Sequence, residues 1–201
     1  SLTSVKLSEK LKTIPSYAFD GCSSLVSIKL PENLNTVGTY AFRGSGLESV
    51  MIPALCTTIN NYAFAECKSL TNVALRQGVK KIGSYCFNGC TALENVTIPD
   101  TVESIGNYAF YDCDTLSKVV IPNSVTSLGN YIFANCEKLS DVNLGTGLTA
   151  IPQYAFYECP ALKSILIPYR VTTIGTKAFA NCTGFTEITI PQSVTSISSD
   201  A

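Results

Sequence analysis

A phenylalanine returns at a fixed interval along this chain, and that interval limits what the chain can fold into. The marker stands at Phe19, Phe42, Phe64, Phe87, Phe110, Phe133, Phe156 and Phe179, in steps of 23 residues with one step of 22 between Phe42 and Phe64. The short step falls at "FRGSGL", where other units carry one residue more, as in "FDGCSSL". Self-similarity at a period between 20 and 50 residues signals a repeat architecture, in which one unit cannot bury its apolar face alone and stacking supplies the missing partner.

Aligned on the marker, further columns appear. Leu25, Leu47, Leu70, Leu93, Leu116, Leu139 and Leu162 form one, with Phe185 in the eighth unit. Three residues on come Ile28, Val50, Val73, Val96, Val119, Val142, Ile165 and Ile188, and two further come Leu30, Ile52, Leu75, Ile98, Ile121, Leu144, Ile167 and Ile190. The resulting V-x-I alternation has the period of two and the β-branched residues of a strand. Pro31, Pro53, Pro99, Pro122, Pro168 and Pro191 follow it; lacking an N–H, they suit a strand end. A second, shorter strand is expected at Ile59, Ile82 and Ile105. Around the marker, Ala109, Phe110, Cys113 and Leu116 fall at three- and four-residue spacings, which predict a short helical turn. The slot after the preceding Ile holds Gly38, Gly83, Gly106, Gly129 and Gly175 but also Pro15 and Pro152, so it does not demand a left-handed backbone.

These columns, L-x-x-V-x-I-P with "AFxxC", resemble leucine-rich repeats, and more narrowly the BspA-like, Treponema-type family. The fold class so implied is an α/β leucine-rich repeat solenoid, with a parallel β-sheet on its concave side and short helical turns on its convex side. The array covers residues 1–201: a half repeat at 1–13, eight repeats at 14–196, and the start of a further repeat at 197–201. Without polar capping segments at either end, it is expected to be a piece of a longer array. The resemblance also implies a cell-surface or secreted adhesin-like protein, with partners among host extracellular matrix or neighbouring-cell proteins and glycans.

Composition narrows the chemistry. The chain has no His, which removes the commonest general base and metal ligand, and no nucleophile–base pair or phosphate loop stands out. An enzyme is therefore not expected, nor a cofactor. A formal net charge of −1 leaves no basic surplus for nucleic acid, and no apolar run reaches membrane-span length. Seven of nine cysteines share one column (Cys22, Cys67, Cys90, Cys113, Cys136, Cys159, Cys182) on the apolar side with Phe and Leu. They are expected to be buried thiols donating weakly to turn carbonyls. A ladder of disulfides is not excluded by distance alone.

The outward positions between the buried strand residues vary from unit to unit while the core columns do not, as a recognition surface requires. They supply the candidate ligand-binding residues: Met51, Asn72, Asn95, Thr97, Lys118, Val120, Asp141, Asn143, Leu166 and Glu187. The leading expectation is a non-enzymatic binding module that recognises a protein or glycan through this face. The alternative is a structural spacer with no dedicated ligand.

Overall fold

The computed structural model describes residues 1–201 as a stack of coils, one per repeat, about eight in all. Each coil contributes a two-residue strand just before the marker segment: β1 (Thr13–Ile14), β2 (Thr36–Val37), β4 (Thr58–Ile59), β6 (Lys81–Ile82), β8 (Ser104–Ile105), β10 (Ser127–Leu128), β12 (Ala150–Ile151), β13 (Thr173–Ile174) and β14 (Ser196–Ile197). Five coils also contribute a longer strand from the V-x-I segment: β3 (Ser49–Ile52), β5 (Asn72–Leu75), β7 (Asn95–Thr97), β9 (Lys118–Val120) and β11 (Asp141–Asn143). All pairing is parallel and in register by one repeat, as in Val50↔Val73↔Val96.

The expected helical turns do not form, which corrects the α/β assignment: the marker segments are turns, and no helix is present anywhere in residues 1–201. The backbone shows why. The N–H groups of Tyr17, Phe19 and Gly21 donate outward to Thr39, Ala41 and Arg43 of the next coil, while those of Ala18, Asp20 and Cys22 fold back three residues to Pro15, Tyr17 and Phe19. A helix needs every N–H to reach back four residues. Here every second one is committed to the neighbouring coil. The tyrosine that opens each turn takes a left-handed conformation, with φ from 55° to 61° at Tyr17, Tyr40, Tyr62, Tyr85, Tyr108, Tyr131 and Tyr154, and Lys177 does the same at 52°. Such a conformation costs a non-glycine residue about 1–3 kcal/mol. Stacking against the next tyrosine at centroid distances of 4.2–5.0 Å offsets part of it.

The core is a continuous cluster of 52 buried residues running the length of the stack. Phe42, Phe64, Phe87, Phe110, Phe133 and Phe156 are fully buried, each ring 5.2–5.6 Å from the next. All nine cysteines are free thiols. Six of them donate to the marker carbonyl one coil back, from Cys67 to Phe42 at 3.0 Å through Cys182 to Phe156 at 3.0 Å. Ser45 fills the cysteine column in the one short unit, where its Oγ lies 3.3 Å from the Cys67 Sγ. In the same unit Gly46 lies so close to the preceding coil that a Cβ there would be 2.1 Å from the Ser23 carbonyl oxygen.

A proline stands at the break in the short-strand ladder. Where the slot after a short strand carries an N–H, it donates to the Ile or Val carbonyl one coil back, as Gly129 does to Ile105 at 2.8 Å and Gly175 to Ile151 at 2.9 Å. Pro152 has no N–H to give. The short-strand sheet accordingly divides into a six-stranded piece ending at β10 and a three-stranded piece beginning at β12.

Candidate functional site

The long-strand face carries the predicted residues. Met51, Asn72, Asn95, Thr97, Lys118, Val120, Asp141 and Asn143 lie on β3, β5, β7, β9 and β11, with exposed side chains. Leu166 and Glu187 are exposed too, but their segments form no registered strand. Register groups these residues into two ladders. Asn72 stands beside Asn95, and Met51 lines up through Ala74 with Thr97. Beyond the next coil boundary, Lys118 faces Asp141, and Val120 faces Asn143. The Lys118 Nζ and Asp141 Oδ2 form an ion pair at 2.6 Å. Arg76 reaches across two coils to Glu32 at 3.0 Å, so this face holds its fixed charges largely as matched pairs.

The long strands do not pair continuously. They form the sheets β3-β5-β7 and β9-β11, with lapses before β3, between β7 and β9, and after β11. Wherever pairing lapses, the later coil carries a proline at the strand end: Pro53, Pro122, Pro168 and Pro191. Where Arg76 takes that place, its N–H donates to the Ile52 carbonyl at 3.2 Å and the strands pair over four residues. Pro99 is tolerated, but β5 and β7 pair over only three.

Each lapse opens a shallow hollow on this face. The first, about 290 Å³, is bounded by Lys29, Glu32, Met51, Pro53 and Arg76. The second, about 360 Å³, lies between β7 and β9 and is lined by Asn95, Val96, Thr97, Ile98, Lys118 and Val120. The third, about 330 Å³, is bounded by Leu144, Thr146, Leu166, Pro168, Tyr169 and Pro191. Four predicted residues therefore converge on the middle hollow, while Met51 and Leu166 mark the outer two. Asn72, Asp141, Asn143 and Glu187 line none of them. Leu166 and Tyr169 are 81% and 70% exposed, the most exposed large apolar side chains of the chain.

The sequence reading missed a hollow of about 370 Å³ on the turn side, lined by Asp112, Asp114, Asn135, Glu137, Glu158 and Asn181. Partial burial, with Asp112 and Glu137 close by, raises the Asp114 carboxyl above its ordinary value. Only the superposition of coils brings these residues together, at steps of about 23. Tyr111 and Tyr157 stand edge-on against the stacked Tyr108 and Tyr154 at 5.6 and 5.5 Å.

The BspA-type leucine-rich repeat model matches in six copies, spanning residues 1–117 and 80–201. The chain belongs to this family. As a BspA-type array it is similar in structure to a T. pallidum leucine-rich repeat protein (31% identity, TM-score 0.70), covering 75% of this chain and 72% of that one. It is also similar to a leucine-rich repeat protein from Bacteroides ovatus (26% identity, TM-score 0.60), over 95% of this chain and 67% of the other. A leucine-rich cell surface protein from Faecalibacterium prausnitzii matches at 28% identity and TM-score 0.61, over 97% of this chain and 59% of that one. The BspA-type array thus spans between about three fifths and three quarters of these relatives' lengths. No curated protein matches it. No helix is long and apolar enough to cross a membrane.

Proposed function

We propose that this BspA-type array is a non-enzymatic binding module of a cell-surface or secreted protein, and that its long-strand face holds a protein or glycan partner. The observation that carries the reading is the coincidence of three hollows with three lapses in one sheet, on the face whose outward residues differ from coil to coil. Hollows at which a few polar groups converge over apolar floors are the usual form of binding sites. The similarity to a leucine-rich cell surface protein supports the location. An adhesin-like role, with host matrix or neighbouring cells as the source of the partner, fits such a surface.

The test is a binding screen against matrix proteins and glycans, repeated with Val120→Asp and Leu166→Asp together. Both side chains are exposed, so the variant keeps the fold. Loss of a bound partner in the double variant supports the face; a partner that binds the variant equally well places the site elsewhere. The alternative, a stiff spacer, draws on the unbroken core cluster and the coil-to-coil ladders, and is favoured if nothing in the screen binds.

A further inference from the structure

We propose that the lapse between β7 and β9 seats one ring of a neutral, hydroxyl-rich polysaccharide that runs along the axis of the stack. The inference rests on the reading of the long-strand face above and names its ligand class.

Four observations point to this chemistry. The middle hollow is amphipathic: Val96, Ile98 and Val120 supply an apolar floor, while the Asn95 amide, the Thr97 hydroxyl and Lys118 supply a polar rim. A pyranose ring has the matching form, with C–H faces and a rim of hydroxyls. The lapse also leaves backbone N–H and C=O groups of the facing segments outside any registered ladder, available to hydroxyls that both donate and accept. The face selects against strong charge, because Lys118 is matched by Asp141 at 2.6 Å and Arg76 by Glu32 at 3.0 Å. Paired charges present hydrogen-bonding groups without the one-signed field that would draw a polyanion or polycation.

The fourth observation is the spacing of the hollows. Met51, Val120 and Leu166 belong to one outward column, three and two coils apart. Coils step by roughly 4.8 Å, whereas an extended peptide advances by about 3.4 Å per residue, so peptide side chains fall out of phase with the hollows. One sugar unit of an extended β-linked chain advances by close to one coil. A chain lying over all three hollows therefore crosses five coil steps, or about six rings.

The experiment is calorimetric titration of the protein with linear neutral glucans, mannans and xylans of two to eight rings. An acidic oligosaccharide and an extended peptide are titrated alongside. At least one neutral series is expected to bind with an affinity that climbs with ring number and levels off near six. Asn95→Ala with Thr97→Ala is expected to weaken that binding by about tenfold, the loss of two hydrogen-bonding groups, without moving the melting transition. Absence of binding by every neutral series, indifference to ring number, preference for the acidic chain or the peptide, or unchanged binding by the double variant each overturns the proposal. If a protein partner is lost on Val120→Asp with Leu166→Asp while no oligosaccharide binds, the ligand class falls and the face stands. If that variant loses no partner of any kind, both fall.

Discussion

The Cys90 thiol donates to the Phe64 carbonyl at 3.1 Å, a bond that ties one coil to the coil before it. The same bond recurs at six cysteines of the column, and all nine cysteines of the chain are free thiols. Six of the nine sulfurs donate to a marker carbonyl, Cys56 donates to the Thr58 carbonyl, and eight of the nine are buried. Burial pushes the thiol of Cys67 up to about 11 and that of Cys159 up to about 12, while those of Cys86, Cys90, Cys113 and Cys136 rise well above their ordinary value. A thiol held in its neutral form is a poor nucleophile. Only Cys22 is half-exposed. A thiol-reactive disulfide reagent is therefore expected to label one cysteine rapidly in the native protein and the other eight only after unfolding. Rapid native labelling of several would contradict the buried column.

The same burial sets an alkaline limit. Above the ordinary thiol value of 9.0, the unfolded chain releases protons that the folded chain keeps, so the folded state binds more protons and loses stability as pH rises. For Cys67 the contribution is fully present below pH 9 and fades as pH climbs toward about 11. Urea midpoints measured from pH 7 to pH 10.5 are expected to fall above pH 9. Replacing Cys113 and Cys136 by Ala is expected to flatten that fall while lowering stability at pH 7.

The left-handed turn at Tyr108 makes an unusual mutational prediction. Elsewhere Gly is less stable than Ala by roughly 0.5–1 kcal/mol. At φ 55° an alanine retains the strain that glycine relieves. Both variants lose the stacking with Tyr85 and Tyr131, at 4.6 Å on each side. Tyr108→Gly is accordingly expected to be more stable than Tyr108→Ala, by about 1 kcal/mol in chemical denaturation. Tyr108→Phe is expected to stay near the parent.

Proline as the cause of the lapses is open to direct test. Pro122→Ala restores an N–H where Arg76, in its own coil, donates to the carbonyl of Ile52. In the variant, hydrogen exchange is expected to show a protected amide at residue 122 and slower exchange across residues 118–120. An unprotected amide at 122 would show that something other than the missing donor separates β7 from β9.

Much of this was legible in the sequence, because stacking translates a column of residues into a ladder. The marker Phe, Leu and V-x-I columns pack where their periodicity placed them through the middle coils, while Ile188 and Ile190 of the last unit are exposed, and the short second strands lie at Ile59, Ile82 and Ile105. The helical turns were misread because Ala109, Phe110, Cys113 and Leu116 have helical spacing, yet their backbone bonds run between coils, and spacing within one unit carries no record of that. The lapses coincide in the sequence with Pro53, Pro122 and Pro168, in contrast to Arg76, but their meaning needed the neighbouring Ile52 carbonyl. The acidic hollow obeys the same rule, since Asp112, Asn135, Glu158 and Asn181 form one column and Asp114 and Glu137 belong to another, but no charge alternation or motif within one unit marks it.

The central claim is that successive coils form each other's interior, and Phe110 tests it most directly. Its ring is fully buried between Phe87 at 5.3 Å and Phe133 at 5.5 Å. Equilibrium urea unfolding of Phe110→Ala beside the parent is expected to show a loss of about 3–5 kcal/mol, the usual cost of emptying a buried aromatic site. A loss below about 1 kcal/mol, the range of surface substitutions, would contradict the account.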